Sequence, residues 1–453
     1  MQNENDTSHY LEKMKRIIYT LSSTFLFLIS QVVVAQETSP VKKFTWKEAI
    51  EFGLQNNKKV QMHQLQSEIS QLQIKDTKNE MLPDVTFHTG FHVLSNLNQY
   101  EDGFLHSPTT YHTPRVKYDF TLAAEIPIYE GGLIKNEIKK RTTEAKISKW
   151  KESKEKKDLR LQIVSAYLHV LHIEEQQELL KSKMHEDSLV IEQTLSLKKN
   201  GVVTQNEVLR TQLQLSNHKM SFSEWQVEKE IVEHEIKTML SIPEEYDFHT
   251  NTQNLIEPKE DIPTQKIETV LENNENWQIA KEEIEVAEIN KIMTKANVLP
   301  KISGGADYAL NYPNFMFFPP EEYLYSIGVV GVNVVIPIGN MYKNKSKMSQ
   351  ASMKIEQAHL EKEEREEQIH HEVFGAKKRL EEANEKIEIA QQAIVQAEEN
   401  YRIVKMKYIN HLSLITELID ADNSYLETQS KLITLQINKQ LKYYQLQYIL
   451  GNL

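Results

Sequence analysis

The sequence predicts a mainly α-helical chain with a small β part, built as two structural repeats that each hold long coiled-coil helices and two strands. Three observations predict it. Met81-Leu82-Pro83-Asp84-Val85 recurs as Val298-Leu299-Pro300-Lys301-Ile302, 217 positions later, and Ile126-Pro127-Ile128 recurs as Ile336-Pro337-Ile338 at a spacing of 210. Short alternating segments follow each Leu-Pro and precede each Ile-Pro-Ile. Between them run stretches of about 67 residues with nothing to break a helix. The repeat places a first unit at 44–241, a linker at 242–264 and a second unit at 265–453.

Residues 1–35 read as a secretory signal peptide. Lys13, Lys15 and Arg16 precede the apolar run Ile17–Ala35, and Val33-Val34-Ala35 puts small residues at the −3 and −1 positions of a cut. Met14-Lys15-Arg16 is the expected translation start; an uncleaved N-terminal anchor is the alternative. The 53 Lys and Arg against 65 Asp and Glu give a net charge of −12, which argues against a nucleic-acid partner. There is no cysteine, so disulfides, thiolate metal sites and an acyl-cysteine anchor are excluded.

After the signal, Thr45 is expected to cap a helix running to about Met81, ended by Pro83. Strands are expected at about 84–98, 115–128, 300–312 and 323–338. In the first, Val85, Phe87, Thr89, Phe91 and Val93 share one face, with Asp84, Thr86, His88, Gly90 and His92 on the other. In the second, Val116, Tyr118, Phe120, Leu122, Ala124 and Ile126 oppose Lys117, Asp119, Thr121, Ala123 and Glu125. The third repeats this alternation and the fourth is apolar with less contrast. Strands of this length, apolar outside and polar inside, suit a transmembrane β-barrel. A sandwich with one wet face is the alternative. Aromatic residues at the strand ends favour the barrel. So does the lack of a helix with a broad apolar face to cover the strands. Four strands cannot close by themselves, and an open edge is not tolerated in lipid, so the barrel must be shared between chains.

The helices 133–200 and 342–409 would each be ~100 Å long. In the second, Leu380, Ala383, Ile387, Ala390, Ile394, Ala397, Tyr401, Val404 and Tyr408 step by three and four, which is coiled-coil spacing. Its first-half equivalent has polar interruptions at Gln177 and Asp187.

These residues, from Phe44-Thr45-Trp46 to the C-terminus, carry a resemblance. The chain resembles the TolC-like outer-membrane efflux proteins. The marks are Leu82-Pro83, Leu299-Pro300, the segment Ile126 to Gly132, and the turns Asn200 to Leu209 and Tyr408 to Ala421. The resemblance implies a homotrimer in the outer membrane of a Gram-negative bacterium, with a twelve-stranded barrel and a periplasmic α-helical barrel. It implies an efflux or export channel, reached through a periplasmic adaptor protein and an inner-membrane transporter, with no enzymatic activity and no cofactor.

The adaptor-contacting turns it implies are Gly201, Val202, Val203 and Thr204, and His411, Leu412, Ser413 and Leu414. In the first, Gly201 allows the turn and Thr204 with Glu207 is expected to form a capping box. The second departs from the family, with His411 where Gly is usual and Leu414 where Ser or Thr is usual. Acidic residues after the second turn narrow the periplasmic entrance in such proteins. Here they are Glu417 and Asp420, whose rings would favour cations; a solvated helix face is the alternative. The first-half equivalents, Glu207 and Arg210, read as a structural pair.

Two rival functions have some support in the sequence. Glu356-x-x-His359 and Glu367-x-x-His370 resemble di-iron ligand pairs, but both lie on one helix, eleven residues apart, so no single site holds them. A secreted structural coiled coil explains the heptads and leaves the four alternating strands unexplained.

Overall fold

The structure, a computed structural model, describes residues 42–243, 245–246, 248–252, 265–318 and 320–453. The expected signal peptide and the expected start at Met14 lie outside these residues, as does most of the expected linker at 242–264.

The described residues begin with β1 (Lys42–Thr45), α1 (Trp46–Asn56) and α2 (Lys58–Asn79). Thr45 caps α1 as expected: its side chain accepts from the Glu48 amide while Glu48 accepts from the Thr45 amide at 3.0 Å. The single helix expected to reach Met81 is instead two. Asn57 adopts an extended backbone (φ −63°, ψ 126°), and its side-chain oxygen accepts from the amides of Lys59 and Val60, opening α2. An Asn inside a periodic stretch looks like helix interior, yet it caps a helix better than it continues one.

β2 (Asp84–Val93) leads to a distal hairpin, β3 (Leu97–Gln99) with β4 (Thr109–Tyr111), and then to β5 (Val116–Tyr129). β2 therefore stops short of the expected 98. The register changes between Val93, opposite Val116, and Leu97, opposite Tyr111. Gly131 and Gly132, both at positive φ, turn the chain into α3 (Leu133–Lys199). An added Cβ on Gly131 would stand 2.9 Å from the Ala296 carbonyl oxygen, so only glycine fits there. α4 (Gln205–Met239) returns antiparallel and ends in β6 (Phe248–Asn251).

β6 lies within the stretch expected to link the halves and pairs in parallel with β1, Phe248 opposite Lys42 and Thr250 opposite Phe44. Phe44 and Phe248 pack on the buried Ile163, Tyr167, Val170 and Ile236 at the waist of the helices. Tyr167 donates to the Phe44 carbonyl at 2.9 Å.

The second half repeats the order: α5 (Ile267–Asn273), α6 (Glu275–Ala296), β7 (Lys301–Tyr312), β8 (Tyr325–Val335), α7 (Ile338–Ile409) and α8 (Ile415–Ile449). Asn274 breaks α5 from α6 as Asn57 breaks α1 from α2, 217 positions apart and with the same side-chain cap. β8 ends before Pro337, which has no N–H to offer a sheet and caps α7. Pro127 instead sits inside β5, where the pairing with β7 shifts register.

The four long strands form one antiparallel sheet in the order β2-β5-β7-β8. The register puts Phe91 opposite Tyr118, Tyr118 opposite Tyr312, and Leu310 opposite Ser326. One face therefore collects Val85, Phe87, Phe91, Tyr118, Phe120, Leu122, Tyr308, Val330 and Val332. The other collects His88, His92, Lys117, Asp119, Thr121, Asp307 and Asn311. β8 blurs this, since Ile327 and Val329 fall on the polar face. β2 and β8 are free edges, and both faces are exposed in one chain.

Below the sheet the helices stand side by side. Near the sheet, α2, α3, α6 and α7 are neighbours in that order; toward the far end the order is α4, α3, α8, α7. The seam of Leu380, Ala383, Ala390 and Tyr401 is buried. No helix among the described residues is long and apolar enough to cross a membrane.

Candidate functional site

The far end of the helices carries every residue singled out for function. α3 closes on the Asn200 cap, with Gly201 at φ 76°. Gly201 donates to the Lys198 carbonyl at 2.9 Å and Val202 to the Leu197 carbonyl at 3.0 Å. This doubled bond with a left-handed residue is the Schellman closure. At the second turn His411 takes φ 59°, donating to the Tyr408 carbonyl at 2.9 Å, while Leu412 donates to the Lys407 carbonyl at 2.8 Å. The sequence departs from the first turn and the backbone does not. Histidine is among the non-glycine residues that tolerate this region, at some cost.

The capping box at Thr204 is not formed. Thr204 has the N-cap backbone (φ −85°, ψ 164°), but its hydroxyl bonds to no helix amide. Leu414 repeats that backbone (φ −83°, ψ 155°) with no polar side chain at all. Sequence pattern alone cannot fix a hydroxyl rotor. Nor do Glu207 and Arg210 form the ion pair expected of them among the described residues. Apolar side chains project at both tips: Val202 on one, Leu412 (77 % exposed) and Leu414 (68 % exposed) on the other. Val203 is half-buried.

Glu417 and Asp420 lie on one exposed face of α8, one turn in from the tip. Ser413 donates its hydroxyl to Glu417. The opposite face of α8 buries Ile415, Leu418 and Ala421 against Tyr401. The carboxylates thus point away from the helix pair, and among the described residues no basic side chain bridges them.

Behind them lies a polar cluster that the sequence reading did not assemble. Lys183 of α3, 4 % exposed, is bonded to Asp422 of α8 and to Glu186 at 2.9 Å. Glu186 also accepts from Tyr401 at 2.5 Å and Lys405 at 2.7 Å, both on α7. Asp187 bonds His218 of α4 at 2.6 Å, and Gln214 of α4 reaches Asn423 of α8. All four helices of the lower layer are joined. Burial works against the charge on Lys183, yet the Asp422 and Glu186 carboxylates outweigh it and raise its pKa. Burial likewise opposes ionisation of Glu186, and the hydrogen bonds from Lys405, Tyr401 and Lys183 overcome it, holding the carboxyl down to about 2. The signal was present as Asp187 breaking the heptad. What the sequence could not show is that His218, Asp422 and Tyr401 come from three other helices to meet it.

His359 and His370 stand exposed on α7, and no acidic or histidine cluster among the described residues could hold a metal ion.

The architecture has close counterparts. It superposes on the outer membrane protein VceC of Vibrio cholerae with a TM-score of 0.73 at 15 % identity, covering 90 % of this chain and 96 % of that one. The CmeC outer membrane channel of Campylobacter jejuni gives 0.75 at 14 %, covering 90 % and 85 %. The MtrE outer membrane channel of Neisseria gonorrhoeae, in its open state, gives 0.70 at 16 %, covering 90 % and 88 %. No curated relative matches the sequence. A model of the family described as outer membrane efflux protein matches residues 50–240 and 267–452, one stretch in each half. With both halves matched, the chain belongs to the outer membrane efflux protein family, non-enzymatic channels of the Gram-negative outer membrane whose helical part stands in the periplasm.

Proposed function

We propose that three copies of this chain close a twelve-stranded barrel in the outer membrane and a helical tunnel below it, forming the exit duct of a tripartite efflux system. The observation that carries this reading is that the free edges of the two layers coincide. β2, α2 and α4 form one edge of the chain, and β8 with α7 forms the other. Both edges bear unpartnered apolar side chains at coiled-coil spacing. α2 exposes Met62, Leu65, Ile69 and Leu72; α4 exposes Leu209, Leu213, Met220, Val227 and Ile231; α7 exposes Met353, Leu360 and Phe374 on the face opposite its own buried seam. Two unlike edges that complement each other pack head to tail, and head-to-tail contacts with the right rotation close into a ring. In lipid, closure also satisfies the edge amides of β2 and β8.

In that ring the apolar face of the sheet meets lipid and the polar face, with His88, His92, Asp119 and Thr121, lines the lumen. The turns at Gly201–Thr204 and His411–Leu414 contact the periplasmic adaptor, which an inner-membrane transporter feeds. Glu417 and Asp420 form acidic rings at the periplasmic entrance and favour cations there. The supports are the exposed apolar tips and the unbridged carboxylates. Mass measurement of the detergent-purified protein tests the assembly: a trimer is expected, and a stable folded monomer overturns it.

A further inference from the structure

At the end of the sheet away from the helices, two hairpin tips hold out exposed apolar side chains. The tip joining β2 to β5 carries β3 and β4, tied by a bond from Thr110 to Asn98 at 2.9 Å and one from Thr113 to the Ser95 carbonyl at 2.7 Å. It holds out Phe104 (82 % exposed) and Leu105 (84 %). The tip joining β7 to β8 is closed by a bridge between Asn314 and Glu321 and exposes Phe315, Met316 and Phe317. Contiguous exposed apolar side chains of this size mark a contact surface.

The protomer itself shows what covers them. The two tips stand over neighbouring strands β5 and β7, and they touch: the rings of Tyr111 and Phe318 meet edge to face at 4.9 Å. When β8 of one copy pairs with β2 of the next, the same two kinds of tip again stand over neighbouring strands. Adjacent strands lie about 4.8 Å apart wherever they pair, so the spacing that brings the tips together within a chain recurs between chains.

We propose that the six tips of the assembled channel pack into an apolar collar at its extracellular mouth, with Phe104 and Leu105 of one copy against Phe315, Met316 and Phe317 of the next. The inference rests on the trimeric reading. Glu101, Asp102, Glu321 and Glu322 flank these side chains and keep the outer surface of the collar wetted. A ring of apolar side chains narrows the exit and sheds water, so it resists hydrophilic solutes while an amphipathic cargo can part it.

The chain has no cysteine, which allows a clean test. In outer membranes, Leu105→Cys with Phe317→Cys treated with a short bismaleimide should yield a ladder of dimer and trimer on denaturing gels, because a cross-link within one chain leaves the monomer mass. The triple variant Phe104→Ser, Leu105→Ser, Phe317→Ser should raise single-channel conductance about twofold or more and admit a large hydrophilic antibiotic such as vancomycin. The native mass is measured on the same preparations. A trimer without intermolecular cross-links, or with unchanged conductance in the serine variant, overturns the collar alone. A monomer overturns the trimer. A Phe317→Trp variant quenched by spin-labelled phospholipid would place the tips in the bilayer and also overturns the collar.

Discussion

The ammonium of Lys183 lies 4.9 Å from the centre of the Tyr401 ring and 5.6 Å from that of Tyr425, and the two rings stack on each other at 5.9 Å. Two aromatic faces and two carboxylates thus surround one buried cation, contributed by three helices. Removing the cation while leaving Asp422 buried is the costly change. Lys183→Met should destabilise the lower helices by about 3–5 kcal/mol, and Lys183→Met with Asp422→Leu by clearly less, because no charge is then stranded. Thermal unfolding in detergent, followed by circular dichroism, checks the ordering of the two variants.

The same cluster sets an acid response. The carboxyl of Glu186 is held to about 2 in the fold, against an ordinary 4.5. A lowered carboxylate contributes stability that is complete above its unfolded value and is lost as pH falls toward its folded one. Stability should therefore drop between about pH 4.5 and 2, and Glu186→Gln should flatten that part of the curve. A variant that loses stability over this window as steeply as the parent would show that Glu186 is not responsible.

The two helical turns share a backbone and not a residue, which gives opposite expectations. Gly201→Ala should cost about 1 kcal/mol, since a Cβ is forced into the left-handed region. His411→Gly should relieve a similar penalty, leaving stability unchanged or higher. Melting temperatures of the two variants in parallel decide it.

For the barrel, Phe120→Arg should cost ~2–4 kcal/mol near the bilayer midplane and Thr121→Arg much less. Equal tolerance at these adjacent positions would mean that the strand register is wrong, and a larger cost at Thr121 would mean that the faces are reversed.

If Glu417 and Asp420 form the acidic rings proposed above, replacing both by Ala should raise single-channel conductance and weaken cation selectivity, because the carboxylates would no longer repel one another or gather cations. Unchanged values in planar bilayers would make the pair a solvated helix face.

Much of this fold could be read from one sequence because its strongest features are periodic. Alternation at Val85, Phe87 and Phe91 and heptad steps from Leu380 to Tyr408 are local patterns, and the Leu-Pro and Ile-Pro-Ile marks locate their limits. What escaped was of two kinds. Asn57 and Asn274 break helices that the pattern carries straight through, since a cap depends on one side-chain oxygen finding two amides. The β1–β6 pair and the Lys183 cluster join residues some two hundred positions apart, where no spacing rule reaches. The turn at His411 shows the converse: a missing glycine suggested a different turn, yet the bonds to the Tyr408 and Lys407 carbonyls impose the same one.

The unpaired edges of β2 and β8 have a genetic consequence. In the trimer proposed above, a chain whose sheet is completed by its neighbours shares its fate with them. A variant that folds its helices but presents a broken β8 edge would still be recruited into rings and would spoil each one it joins. Co-expressed in equal amount with the intact chain, it would leave roughly one-eighth of three-membered rings free of any defective copy. Such a lesion would behave as dominant in a cell carrying both alleles, whereas a loss of the whole chain would be recessive.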